Sequence, residues 1–165
     1  MDFVHDTLTD GRTIRVLAVV DVFTRECVVL EARPRFSGHD VAMVLSEAGA
    51  GDGLPPTIQV DNGSEFTSKA LDHWAYWNQV QLDFSRPGKP TDNAVIESFN
   101  ASLRRECLSQ HWWLDRTDAQ RPLDAWRADY NHHRPHSSLG GRSPADLRVG
   151  GHFIPGPNRL QNCRL

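Results

Sequence analysis

Apolar and polar positions follow a strand-like period at the start of this chain and a helical one later. Met1-Asp2-Phe3-Val4-His5 alternates as a short strand does, and Ile14 to Val20 is a longer β-branched run. Thr9-Asp10-Gly11-Arg12 between them carries a hairpin turn signal. Asp21 to Arg25 makes the next turn, and Glu26 to Glu31 returns as a third strand. The first 31 residues therefore predict an antiparallel meander. Ser37 or Gly38 then caps a helix with Val41, Val44 and Leu45 on its inner face. Residues 57–60 form a fourth strand, and Ser68 caps a helix whose one side holds Leu71, Trp74, Ala75 and Asn78. Residues 80–84 alternate as a fifth strand. Strands four and five each follow a helix, which predicts their parallel addition to the meander. The expected fold is α/β: a five-stranded mixed sheet, three antiparallel strands then two parallel, flanked by helices.

A second helical pattern begins at Asn93. Asn93, Glu97, Asn100 and Arg104 share one face, and Ile96, Phe99, Leu103 and Cys107 make the apolar stripe opposite. Thr117 to His132 predicts a further helix with Leu123, Trp126 and Tyr130 inward, and Pro122 lies early enough to be tolerated. The last fifteen residues, with Gly151, Pro155, Gly156 and Pro157, read as a loose tail.

A chain of 165 residues with 39% hydrophobic content is one folded domain by default and buries a core without disulfide help. No apolar run approaches the roughly 20 residues that span a bilayer, and no secretory leader is visible, so the chain reads as cytoplasmic. Cys27, Cys107 and Cys163 are odd in number and lack C-x-x-C spacing, which fits buried thiols rather than disulfides or zinc. The formal charge of −3 divides unevenly. Residues 1–85 hold 13 acidic and 6 basic side chains, and residues 86–165 hold 8 acidic and 12 basic ones. An acidic half that ligates cations beside a basic half that meets phosphates suits a metal-dependent nuclease.

Two carboxylates concentrate the chemistry. Asp61 ends the strand Thr57 to Val60, where Asn62-Gly63 turns the chain sharply. Glu97 lies one turn inside its helix, between two amides and a basic residue, and 35 residues separate it from Asp61. The Gly/Pro-rich loop before that helix carries Arg86 and Lys89. Glu65 is placed to stabilise the first turn of the helix after Asp61, and Asp21 to form a turn. His132, His133 and His136 raise a metal-site alternative, but Arg134-Pro135 breaks the helix between them.

Asp61-Asn62-Gly63-Ser64-Glu65-Phe66, followed by Pro87-Gly88-Lys89-Pro90-Thr91-Asp92-Asn93-Ala94-Val95-Ile96-Glu97-Ser98-Phe99-Asn100, resembles the catalytic core of the retroviral-integrase-like transposases of bacterial insertion sequences. Tyr130-Asn131, Arg134-Pro135-His136, Leu139 and Ser143-Pro144-Ala145 resemble the C-terminal end of the same core, so the resemblance spans residues 1–148, with 149–165 as the tail. It implies a ribonuclease H-like fold and a D, D, E triad matching Asp2, Asp61 and Glu97, which bind two Mg²⁺ or Mn²⁺ ions. Carboxylates are the hard ligands such ions prefer. It implies metal-dependent hydrolysis of a phosphodiester at the element end, then strand transfer by the freed 3′ hydroxyl. Lys89, Arg86, Arg104 and Arg105 are the expected nucleic-acid contacts. Asn62 and Asn93 are placed to steady the carboxylates or water, with Asn100 behind them. The partners implied are transposon ends and target DNA, further copies of the chain, since synapsis of two ends needs at least a dimer, and an upstream DNA-recognition region or partner protein. Two other readings stand beside this one: a ribonuclease H-like nuclease of other purpose, and a truncated, catalytically weak remnant that only binds DNA or transposase subunits.

Overall fold

The structure is a computed structural model and describes residues 1–86 and 93–147. Strand β1 (Asp2–Thr7) pairs antiparallel with β2 (Thr13–Val20), which pairs antiparallel with β3 (Cys27–Arg33). Both turns follow their local chemistry. Gly11 adopts a φ of +85° in the first, where Leu8 N donates to Arg12 O. In the second, Asp21 Oδ1 accepts from the backbone of Phe23 and Thr24.

Helix α1 (Gly38–Asp52) starts from a reciprocal capping box between Ser37 and Asp40. Helix α2 (Lys69–Trp77) starts from the Ser68 hydroxyl. Between and after them lie β4 (Thr57–Val60) and β5 (Gln81–Phe84), parallel to each other. Helices α3 (Ala94–Glu106) and α4 (Arg116–His132) complete the order, α4 running through Pro122.

The expected single sheet is present as two ladders, β1-β2-β3 and β4-β5. β4 is only four residues long, and each of its residues is paired with β5. At the strand ends the Met1 amino group donates to Gln59 O, between the two ladders, at 2.7 Å. The expected boundary at 148 and the tail 149–165 lie outside the described residues.

Alternation along the strands builds two apolar layers. Val4, Val16, Ala18 and Leu30 pack with Ile96, Phe99 and Leu103 of α3 and Leu123 and Tyr130 of α4. Leu17 and Val29 pack on the other side with Val41 and Leu45 of α1, Leu71 and Ala75 of α2, and Ile58 and Val60 of β4. Cys27 and Cys107 are buried free thiols in the first layer, and burial pushes them up to about 12 and about 11.

α4 also closes the outer edge of β3. Buried Asn131 accepts from Cys27 N at 2.9 Å and donates to Cys27 O at 3.0 Å, as a neighbouring strand would. Gln120 does the same further along, accepting from Ala32 N and donating to Leu30 O. The Tyr-Asn-x-x-Arg-Pro-His segment is thus a packing device. Tyr130 meets Phe99 edge-on, Arg134 pairs with Glu106 beneath Trp126, and the His136 ring abuts Tyr130. Among the described residues no helix is long and apolar enough to cross a membrane.

Candidate active site

Asp2 opens β1 and Asp61 follows β4, so the junction of the two ladders sets the two carboxylates near each other. Burial raises the Asp2 carboxyl above its usual range, and the charge of Asp61 adds to that. The Phe3 N–H, the Met1 ammonium and the Asn100 amide act in the opposite direction. The Met1 amine, buried at the same junction, is lowered to about 6 by burial, against the attraction of Asp2 and Asp61.

Each residue of the Asp61-Asn62-Gly63-Ser64-Glu65-Phe66 segment has a distinct task. Asp61 Oδ1 accepts from Gly63 N at 2.7 Å, and a Cβ on Gly63 would stand 2.9 Å from that oxygen. Asn62 Nδ2 donates to Ser85 O at 3.2 Å. Phe66 stacks on Phe3 with ring centroids 5.0 Å apart. Glu65 pairs with Arg15 of β2, whose guanidinium lies 4.1 Å from the Phe3 ring centroid. That corrects the expectation for Glu65. The helix start takes its cap from Ser68, and Glu65 instead seals the aromatic cluster under β1.

On α3 the polar stripe meets this junction. Asn100 Nδ2 donates to Asp2 Oδ2 at 2.7 Å, while buried Asn100 Oδ1 has no hydrogen-bond partner. Glu97 is exposed one turn earlier on the same face. Among the described residues no three His, Cys, Asp or Glu side chains converge as a ready ligand set. Arg104, a turn beyond Asn100, donates to His5 O at 3.0 Å, and Arg105 pairs with Glu106. Arg86 is exposed at the end of the β5 segment. Lys89 lies outside the described residues.

Asn93 is the N-cap of α3 but gives the helix no side-chain cap bond. Its Oδ1 instead accepts from Ser85 Oγ at 2.6 Å. Ser85 carried no signal in the sequence beyond following an alternating strand. Asn100 was visible through its helical spacing from Glu97, although its bond to Asp2 was not.

An α/β core whose acidic side chains meet at a strand junction, with a helix laid across it, is the architecture of an integrase-type core. The matches agree. Residues 1–90 and residues 78–144 each match a model described as integrase core domain. The chain is 47% identical over 147 residues to the "Insertion element IS407 uncharacterized 31.7 kDa protein" of Burkholderia multivorans, covering 89% of this chain and 53% of that one. It is 43% identical over 147 residues to the "Insertion element IS476 uncharacterized 39.2 kDa protein" of Xanthomonas euvesicatoria, covering 89% and 42%. The chain thus spans about half the length of these curated relatives. The HTLV-2 integrase catalytic core domain, solved in complex with magnesium, has a TM-score of 0.71 at 14% identity, covering 88% of this chain and 91% of that one, and shows the same fold. This chain belongs to the integrase core domain family.

Proposed function

We propose that this chain is the catalytic domain of a DDE-type DNA transposase, with Asp2, Asp61 and Glu97 as its metal-binding carboxylates. The observation that carries the reading is the bond from Asn100 to Asp2, which lays the Glu97 helix against the strand junction that holds Asp2 and Asp61. A hydrated divalent cation fits these residues. The donor set is hard oxygen, Asp61 is near enough for its charge to raise the Asp2 carboxyl, and Asn100 Oδ1 offers an unused acceptor to metal-bound water.

When bound, two Mg²⁺ or Mn²⁺ ions supply Lewis acidity at the attacking and leaving oxygens of a phosphodiester. The chain's own residues hold that arrangement. Gly63 N and Asn100 Nδ2 orient the Asp61 and Asp2 carboxylates, leaving their other lone pairs for ligation. Arg86, Lys89, Arg104 and Arg105 meet DNA phosphates in this reading. Its finer points are a single five-stranded sheet with β1 beside β4, water as first nucleophile and the freed 3′ hydroxyl as second. Transposon ends and target DNA are the substrates, a cytoplasmic homo-oligomer binds them, and an upstream region or partner recognises the ends.

The test is Mg²⁺- or Mn²⁺-dependent DNA nicking by Asp61→Asn and Glu97→Gln beside wild type. A loss of roughly a hundredfold or more with unchanged circular dichroism is expected. Near wild-type cutting by either variant overturns the assignment.

A further inference from the structure

Ser85 spends all of its polar groups around the two carboxylate-bearing elements. The β4–β5 ladder ends at the pair Val60 and Phe84. One residue on, Ser85 N donates to Val60 O at 2.9 Å, and Ser85 Oγ lies 3.0 Å from the same carbonyl. That oxygen belongs to the residue before Asp61. Ser85 O accepts from Asn62, the residue after Asp61, at 3.2 Å. The hydroxyl also donates to Asn93 Oδ1 at 2.6 Å, at the N-cap of the helix that carries Glu97. Asn93 ordinarily has a better use, since an Asn at this position caps the helix by accepting from one of its first free N–H groups. Here that local bond is given up for a tether to another element.

We propose that Ser85 is a positioning residue, which sets the spacing between the Asp61 strand end and the Glu97 helix start through Val60 and Asn93. This rests on the cation-binding role given to Asp61 and Glu97 above. Glu97 has no side-chain contact holding it toward Asp61 among the described residues, so its place depends on the register of its helix start. Ser85 is the described side chain that ties that start to the strand end. Residues that orient metal ligands without touching the metal typically contribute tenfold or more to affinity.

The experiment measures Mn²⁺ binding to the whole chain by electron paramagnetic resonance of the free ion, with no DNA present. Ser85→Ala and Asn93→Ala are each expected to raise the dissociation constant about tenfold. The double variant should do no worse than either single one, because both changes cut the same link. Ser85→Thr, which keeps the hydroxyl, stays within about twofold of wild type. Asn93→Ala leaves the Ser85 N–Val60 O bond in place and frees the Ser85 hydroxyl for the same carbonyl, so it separates the tether from simple strand-end stability. It carries the test alone if Ser85→Ala does not fold. Asp61→Asn and Glu97→Gln run alongside as controls. If they weaken Mn²⁺ binding while Ser85→Ala and Asn93→Ala do not, the site stands and the Ser85 proposal is overturned. Additive losses in the double variant overturn it equally. If the controls bind Mn²⁺ as wild type does, the cation-site reading itself fails, and the Ser85 role falls with it.

Discussion

Asn100 Nδ2 lies 2.7 Å from Asp2 Oδ2, a bond between residues 98 positions apart that fixes helix α3 to the first strand. It constrains one carboxylate oxygen directly and the orientation of the Glu97 turn indirectly. Asn100→Ala is therefore expected to lower metal-dependent nicking about tenfold to a hundredfold while shifting the melting midpoint by only a few degrees. A nicking rate equal to wild type would mean that Asp2 is held well enough by Phe3 N alone.

Gly63→Ala tests the other carboxylate. The added methyl carbon would stand 2.9 Å from Asp61 Oδ1, closer than such contacts run. The carboxylate is the mobile partner and should swing away, breaking its bond to Gly63 N. A ligand misplaced by about 1 Å costs on the order of a hundredfold in rate. The expected result is a loss of that order with a folded chain, checked by the nicking assay and by circular dichroism.

The Arg15–Glu65 pair gives a pH signature. The hydrogen bond from Arg15 holds the Glu65 carboxyl below its usual range. A depressed folded value means that the unfolded chain binds the proton more readily. The stabilisation is thus complete above the ordinary glutamate pKa and disappears as pH falls through the folded value. Thermal midpoints measured from about pH 6 down to about pH 3 should fall more steeply for wild type than for Glu65→Gln. Parallel curves would show that the pair contributes nothing to stability.

Asn131→Leu addresses the edge of β3. It removes the partners of both Cys27 N and Cys27 O in a buried place, at roughly 1–3 kcal/mol for each group left unpaired. A total of about 2–6 kcal/mol lowers the melting midpoint by about 4–24 °C for a chain of this size. Calorimetry checks this, and nicking measured well below the midpoint should be close to wild type because Asn131 lies away from the carboxylates.

The strands and the two stripes of α3 were legible because each is a local period with a buried face to enforce it. Ile96, Phe99 and Leu103 fall inward as spaced, which leaves Glu97 and Asn100 together on the other side. The interval between Asp61 and Glu97 was equally plain. What escaped depends on which elements become neighbours. Glu65 looked like a residue placed for a helix start, and only the packing of β2 beside it supplies Arg15, 50 positions earlier. Ser85 follows a strand and has no pattern of its own, so its link to Asn93 appears only when β5 and α3 meet. Arg104 falls on the Glu97 face by its spacing, but its bond to the His5 carbonyl is one that no helical period reveals. The five strands, the antiparallel meander and the parallel β4–β5 pair follow the periods read from the sequence, while the ladders join the strands as three and two.

The way α4 closes β3 has a consequence during synthesis. The contact from Cys27 to Asn131 spans 104 positions, so the meander leaves the ribosome long before the helix that covers its edge. Until then β3 presents unpaired N–H and C=O groups, a template on which another nascent chain can add a strand. A chain cut short before Asp115 would keep that edge open for good. Such a fragment should be drawn into aggregates even though every strand of its meander is intact.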